Sequence, residues 1–483
     1  MKKISALFFK EIILCVGIGL SVFQGGCKST PVVSAHADQP TQSVTVTGSQ
    51  NHRVKRSVES IAASAGDARD ITLQRHIAAM AEQGGPPLIS DNDAKLLIDG
   101  PQAYGAMFSA MELARNNINL EVYIFQDDKV GRDLINILLK KQQQGIQVKL
   151  IYDGLGSVAT AKSLFEPLTD AGVQVFEFNP VNPVEGKTLE INNRDHRKIL
   201  VVDGEVGFTG GINISSVYSH GSATNPIKAA KDHPPLDEGW RDTQIEIRGP
   251  AVAELQRVFF KTWDSQFDSD HPDPKPPLSN VAQKTAKNNP GNYYPDLPRQ
   301  GDKIVRVIAS TPDDKKNIIY ADLLMAIRHA QSSIHLTMAY FSPDAPVIEA
   351  LRDASKRGVE VTLELPGFSD IWLIFEAGRS HYSTLLDAGV IIYERHDALL
   401  HAKTAVIDGV WSTVGSSNMD MRSFLHNSEV NIVVIGSDFG DAMEAMFQHD
   451  LTEGTLITEQ AWRQRPLTDR LRQWFSRVWS YWL

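Results

Sequence analysis

Residues 196–213 read HRKILVVDGEVGFTGGIN, and residues 401–418 read HAKTAVIDGVWSTVGSSN. Each string opens on a His, with a Lys two places on, an Asp seven on, a Gly fourteen on and an Asn seventeen on. The matching residues are His196, Lys198, Asp203, Gly210 and Asn213, then His401, Lys403, Asp408, Gly415 and Asn418. The runs Ile199 to Val202 and Thr404 to Ile407 are apolar and rich in β-branched residues, which predicts a buried strand in each copy. A His and a Lys two apart at the head of a strand share a face. Asp203-Gly204 and Asp408-Gly409 predict hairpin turns, with Val206 to Thr209 and Trp411 to Val414 returning. Each copy thus offers one imidazole, one ammonium and one amide to a single spot.

The flanking segments repeat as well. In the first half, helical patterns at residues 104–115, 131–144 and 159–170 alternate with strand patterns at 118–125, 147–152 and 173–178. In the second half, helices at 318–330, 346–357 and 377–388 alternate with strands at 334–340, 359–365 and 390–393. Tyr123 matches Tyr340, Gly145 matches Gly358, and Ala171-Gly172-Val173 matches Ala388-Gly389-Val390. Such alternation predicts an α/β sheet layered by helices in each half, and a duplicated unit rather than a solenoid of short repeats.

The chain of 483 residues suits two domains, and its apolar and charged fractions are ordinary for a globular protein. A net charge of −10 argues against a dedicated nucleic-acid binder. Both cysteines, Cys15 and Cys27, lie in the first 27 residues, so the body has no disulfide framework, thiolate metal site or catalytic cysteine.

The start, MKKISALFFKEIILCVGIGLSVFQGGCKST, has a basic head at Lys2 and Lys3, an apolar run from Ile12 to Phe23, and the exit Gln24-Gly25-Gly26-Cys27. The run is short for a membrane span. The exit resembles a bacterial lipoprotein cleavage box that would leave Cys27 lipidated. Gln24 stands where such boxes usually carry Leu, and Lys10-Glu11 interrupts the leader; an uncleaved anchor or a plain signal peptide are the alternatives. All three put the protein on or beyond a membrane. Residues 28–58 are polar and predict a flexible tether. A short helix is expected around residues 71–82, with the folded body beginning near Pro86. The Pro- and Gly-rich stretch 268–302 predicts a linker. The expected division is a leader (1–27), tether and short helix (28–85), a first domain (86–267), the linker, a second domain (303–457) and a C-terminal helix (458–483).

The paired H-x-K-x4-D strings, their G-x-x-N tails, Trp240-Arg241-Asp242 and the run from Asn418 through Arg422 and Asn427 to Glu429 resemble the phospholipase D superfamily. Among its members the chain looks most like bacterial cardiolipin synthases, over roughly residues 90–450. The resemblance implies two phospholipase D-like α/β/α sandwich domains and a phosphatidyltransferase or phosphodiesterase needing no metal or other cofactor. Its catalytic set would be His196, Lys198, Asp203, His401, Lys403 and Asp408. Asn213, Asn418, Ser416, Asp242 and Glu429 would support the substrate or the histidines. Family analogy makes His196 the nucleophile and His401 the acid and base, with Glu429 behind His196 and Asp242 behind His401. Sequence symmetry alone leaves the choice of nucleophile open.

The chemistry is consistent with that assignment. Phosphoryl transfer needs a nucleophile, an acid for the leaving oxygen, and positive charge around the phosphorus. Two imidazoles can divide the first two tasks and two ammoniums can supply the third. Asp203 and Asp408, set before Gly, more naturally shape the hairpins. Arg422 is poised between a structural ion pair and recognition of a second phosphate. His220, His233, His381, His396 and His426 lack the spacing and suit surface or rim positions.

The tail RPLTDRLRQWFSRVWSYWL sets Leu467, Leu471, Trp474, Phe475, Val478, Trp479 and Trp482 on one helical face, with Arg470, Arg472 and Arg477 elsewhere. Such a helix suits a membrane interface, or equally a cap on the catalytic core. The expected partners are phospholipid substrates and a membrane, with no nucleic acid. The expected location is lipid-anchored and exported, on the periplasmic face of a Gram-negative membrane. A phospholipase-type hydrolase, a secreted nuclease of the same superfamily and an inactive lipid binder are the alternatives.

Overall fold

The computed structural model describes residues 29–31, 33, 43–49, 53–65, 71–181, 192–222, 239–265, 292–312 and 314–479. The leader with Cys27, most of the expected linker, His233 and Trp482 lie outside the described residues.

The chain opens on the hairpin β1 (Ser43–Thr47) and β2 (Arg53–Ser57). The first half contributes β3 (Leu88–Ile98), β4 (Asn117–Val122), β5 (Gln147–Asp153), β6 (Gln174–Phe178), β7 (Arg194–Asp195), β8 (Ile199–Val202), β9 (Val206–Gly210) and β10 (Thr243–Arg248). The second contributes β11 (Lys303–Ser310), β12 (Ser333–Met338), β13 (Phe341–Ser342), β14 (Glu360–Pro366), β15 (Ile391–Arg395), β16 (Lys403–Ile407), β17 (Trp411–Gly415), β18 (Met419–Asp420), β19 (Asn427–Ile435) and β20 (Gly454–Leu456). The first sheet runs β6-β5-β4-β8-β9-β10-β3, parallel across its first three strands and antiparallel across the rest. The second repeats it as β15-β14-β12-β16-β17-β19-β11, with β20 added at the β15 edge.

The two sheets are joined rather than merely adjacent. Edge strands β3 and β11 pair antiparallel, Val305 opposite Ile89. Helices Asp99–Glu112 and Lys129–Gln143 cover one face of the first sheet, and Ile318–His329 and Ala345–Lys356 the matching face of the second. The opposite faces share a core: Ile199, Val201 and Ile245 of one half pack in one cluster with Val406, Val414 and Ile432 of the other. The apolar runs Ile199–Val202 of β8 and 405–407 of β16 need this burial on both faces.

Three sequence expectations change. The segment expected as a tether includes the β1–β2 hairpin, which adds to β3 with Val46 opposite Leu88, and a helix, Val58–Ser64. Val46, Ile61, Leu73 and Ile77 enter the second half's core, so the folded body starts well before Pro86. Few apolar residues carry this packing, which is why composition concealed it. Strand register also shifts one correspondence. Ile118 faces Val202 and Ile334 faces Ile407, which aligns Tyr340 with Ile124 and not with Tyr123. Finally, the helical patterns at 159–170 and 377–388 break into shorter pieces, Glu166–Asp170 with a preceding turn, and Trp372–Arg379 followed by Tyr382–Leu386.

The two hairpins form as expected. Asp203 and Gly204 have φ of 56° and 69°, and Asp408 and Gly409 56° and 64°, the left-handed pair that a primed turn requires. Their carboxylates are occupied locally. Asp203 accepts from the backbone N–H groups of Arg115, Asn116 and Asn117 at 2.7–2.9 Å. Asp408 accepts from those of Gln331, Ser332 and Ser333, and from His76 Nε2 at 2.9 Å. Each Asp ties its hairpin to the start of the neighbouring strand, at the end of the motif strand remote from the His. Burial would raise the Asp408 carboxyl, but His76 and the backbone donors outweigh it and hold it down at about 2.

Asp408→Ala is therefore expected to lower the unfolding free energy by about 1–3 kcal/mol, because it orphans the buried His76 and releases three backbone N–H groups. Activity per folded molecule should stay within about twofold. Since the folded carboxyl lies below its unfolded value, its stabilisation is complete above about pH 4 and is lost as pH falls toward 2. Denaturant titrations of both proteins at pH 7 and pH 3 measure this; equal stability with lost turnover would make Asp408 catalytic instead.

Candidate active site

The site forms where each half lends a strand to the other. β7, just before His196, pairs parallel with the start of β19, and the His196 N–H donates to the Ser428 carbonyl at 3.0 Å. Reciprocally, Arg241 bridges to Leu400, and the His401 N–H donates to the Arg241 carbonyl at 2.8 Å. These exchanges put the acidic residue of one half beneath the imidazole of the other. His196 Nδ1 lies 3.0 Å from both Glu429 carboxylate oxygens. His401 Nδ1 lies 2.7 Å from Asp242 Oδ2. With each Nδ1–H directed to a carboxylate, each Nε2 is the ring nitrogen turned away from it.

Further contacts hold the carboxylates. Ser416 Oγ donates to Glu429 Oε2 at 2.5 Å, and Asn427 Nδ2 to Oε1 at 3.2 Å. The Thr243 N–H donates to Asp242 Oδ1 at 2.7 Å. A Cβ on Gly210 would collide with the Thr243 carbonyl and the Gln244 side chain, and a Cβ on the matching Gly415 would collide with the Asn431 amide. That close approach explains the glycines in the repeated tail.

Lys198 and Lys403 are buried, and each ammonium folds back to donate to the carbonyl of its own motif His, Lys198 at 2.6 Å. Burial lowers both, Lys198 to about 7 and Lys403 to about 8. Each is influenced by acids of both halves: Lys198 feels Glu429 and Asp242, and so does Lys403. His401 in turn feels Lys198 and His196. The six groups therefore share one electrostatic site. Burial pushes the His196 imidazole down to about 4 and His401 well below its ordinary value. Burial lifts Asp242 to about 6, whereas His196, Lys198 and Ser416 overcome burial at Glu429 and keep it ionised.

Asn213 and Asn418 play unequal parts. Asn213 accepts from the Ile124 N–H at 3.0 Å and donates to Tyr218 Oη at 3.2 Å, and that hydroxyl lies 3.4 Å from His401 Nδ1. Its amide thus positions the second histidine. Asn418 keeps a buried side-chain oxygen with no hydrogen-bond partner. Arg422 donates to Asn192 Oδ1 at 3.1 Å beside the Tyr123 ring and Arg194. His220 is exposed, while His381, His396 and His426 are half-buried at the rim.

Sequence reasoning named Tyr123, Tyr340 and Trp240 without a place beside the histidines, and missed Tyr218. Tyr123 sits 4.8 Å from the His196 ring, Trp240 5.2 Å and Tyr218 6.0 Å from His401, and Tyr340 6.3 Å from His401 with its hydroxyl on Asp370 at 2.7 Å. Tyr218 has no partner at matching distance in the second half, so the repeat could not reveal it. Among the described residues, no group of three or more His, Cys, Asp or Glu side chains is placed to hold a metal ion.

Such a site, two carboxylate-backed imidazoles with two ammoniums between paired α/β sheets, defines an enzyme of the phospholipase D type. The family model described as "Cardiolipin synthase, PLD-like domain" matches residues 107–220 and 323–451, and the chain belongs to this family. The chain is 35% identical over 410 residues to a cardiolipin synthase of Geobacillus sp. (strain WCH70), covering 84% of this chain and 76% of that one. It is 31% identical over 397 residues to cardiolipin synthase 1 of Bacillus anthracis, covering 82% and 73%. A phosphatidylserine synthase structure from Haemophilus influenzae superposes with a TM-score of 0.62 over 85% of this chain and 100% of that one; at 14% identity it shows the shared fold alone.

The pH dependence follows from the burial shifts. For the free enzyme, kcat/KM on a soluble phosphodiester should fall as pH rises through about 7 to 8, where Lys198 and Lys403 lose their charge. His196 stays unprotonated down to about pH 4, so its protonation sets in only below that. A flat profile up to pH 9.5 would show that the ammonium charges are not needed.

Proposed function

We propose that the protein moves a phosphatidyl group from one phosphatidylglycerol to the hydroxyl of another, making cardiolipin and releasing glycerol. The reading rests on the reciprocal pairing of Glu429 with His196 and Asp242 with His401, together with relatives named cardiolipin synthase along more than four-fifths of the chain.

His196 Nε2 attacks phosphorus, and His401 gives a proton to the departing glycerol oxygen, leaving a phosphatidyl-histidine. The incoming lipid hydroxyl then loses its proton to His401 and displaces His196 from phosphorus. Lys198 and Lys403 offset charge on the non-bridging oxygens. The unequal carboxyls support this direction. Asp242, lifted to about 6, lets the Asp242–His401 pair take up a proton at higher pH than the pair of ionised Glu429 with His196, which lies at about 4. The Asp242–His401 pair suits an acid and the Glu429–His196 pair suits a nucleophile.

Mass spectrometry of lipids after incubation with phosphatidylglycerol alone tests the overall reaction. Cardiolipin and glycerol are expected; phosphatidic acid without cardiolipin would make the enzyme a hydrolase. In His401→Asn, slow protonation and slow release should let a phosphatidyl adduct accumulate on the peptide carrying His196, and an adduct on any other residue would reverse the roles. Glu429→Gln should lower kcat roughly 10²–10⁴-fold while keeping the fold.

Membrane association belongs to the same reading. Lipid substrates, the leader and its Cys27 box support an exported enzyme anchored through Cys27 on the periplasmic face. Cys27→Ala should move the protein from the membrane to the soluble fraction and remove the acyl groups from its intact mass. No helix among the described residues is long and apolar enough to cross a membrane.

A further inference from the structure

The C-terminal helix, Leu467–Val478, is turned inside out relative to an ordinary amphipathic helix. A surface helix normally buries its apolar stripe and shows water its polar side. Here Gln473 and Ser476 are the buried residues, and Arg465 Nε donates to Gln473 Oε1 at 3.0 Å. This polar side packs against the Trp372–Arg379 helix. Leu467, Leu471, Trp474, Phe475 and Val478 point outward, 74%, 66%, 67%, 48% and 63% exposed. At 100° per residue these five cluster on one side, opposite Gln473 and Ser476. Trp372 on the neighbouring helix is 46% exposed as well.

Charge is arranged around this stripe. Arg472 lies on one flank, Arg470 and Arg477 on the other, all exposed, in a chain whose net charge is −10. A contiguous apolar patch of this kind marks a contact surface. Apolar residues with Trp, flanked by guanidiniums, match the boundary between acyl chains and anionic head groups. A second copy of the chain fits less well, since a two-fold contact would bring the same rows of guanidiniums together.

The patch also reaches the catalytic wall. Trp479, at the end of the helix, shares an apolar cluster with Ile374, Ala377 and Tyr340. Tyr340 is the ring 6.3 Å from His401, held through Asp370. We infer that the outward stripe of the C-terminal helix seats the enzyme on an anionic phospholipid bilayer and sets the His401 side of the site against its lipid substrate. The choice of phosphatidylglycerol as substrate rests on the phosphatidyltransferase reading; the docking does not.

The experiment uses the full chain and the variant Leu471→Glu/Trp474→Glu/Phe475→Glu, whose changes lie in water and leave the fold intact by circular dichroism. Turnover is measured on vesicles of phosphatidylglycerol and phosphatidylethanolamine, and on monomeric dihexanoyl-phosphatidylglycerol. The variant should lose at least tenfold in kcat/KM on vesicles and stay within twofold on the monomeric lipid. In parallel, vesicles with brominated acyl chains should quench the wild type more than Trp474→Phe. That difference should shrink several-fold when phosphatidylcholine replaces phosphatidylglycerol.

Equal vesicle turnover by variant and wild type, with no quenching attributable to Trp474, would overturn the docking. Equal quenching on phosphatidylcholine would overturn its anionic character. A concentration-dependent dimer that the variant dissociates without change in vesicle turnover would assign the stripe to self-association instead. If the wild type turns over neither lipid, the phosphatidyltransferase reading fails, and the quenching alone decides the docking.

Discussion

A carboxylate from one half beneath an imidazole of the other is the constraint on which the remaining structure turns. Glu429 reaches His196 because β19 begins alongside β7, and Asp242 reaches His401 because Arg241 runs alongside Leu400. Neither half holds a complete pair. The joined sheets, the shared core and the paired β3 and β11 all serve to keep this exchange in register. A shift of one residue along either crossing would turn the carboxylate to the opposite face.

Burying so many charges is costly unless each is paired. The supporting ion pairs therefore reach deep into the sheets. Arg241 spans Asp450 at 2.6 Å and Asp99 at 3.4 Å, and Arg395 joins Asp450 to Glu364 and Asp397. On the other crossing, Arg197 donates to the carbonyls of Glu429 and Ser310 and to Thr262 Oγ1. These guanidiniums hold the backbone on either side of each His, so the imidazoles inherit a fixed position. The same water-poor surroundings lower the histidines and lysines toward their neutral forms. An incoming phosphodiester brings the negative charge that favours their protonated forms.

Much of this was legible from spacing alone. Two copies of one string, at one offset, revealed the duplication, the hairpins and the six polar groups, because strand and turn geometry are local. The turn geometry of Asp203 and Asp408 was legible for the same reason, since an Asp before Gly serves a primed turn. What escaped depended on long-range packing. Tyr218 frames His401 with no aromatic at the matching distance in the second half, and the β1–β2 hairpin is too polar to announce its place beside β3. The periodicity of the tail was plain, but which side faced inward depended on Gln473 and Ser476 meeting a neighbouring helix. Tyr340 matched Tyr123 by eye and sits one strand position away from that match, yet both rings reach a histidine.

The crossing of β7 with β19 also imposes an order in time. A chain emerging amino end first has His196 and most of the first core long before Glu429 exists to orient that imidazole. The His196–Glu429 pair is therefore complete only when nearly the whole polypeptide has been made and folded, and a fragment interrupted midway holds an imidazole without its carboxylate.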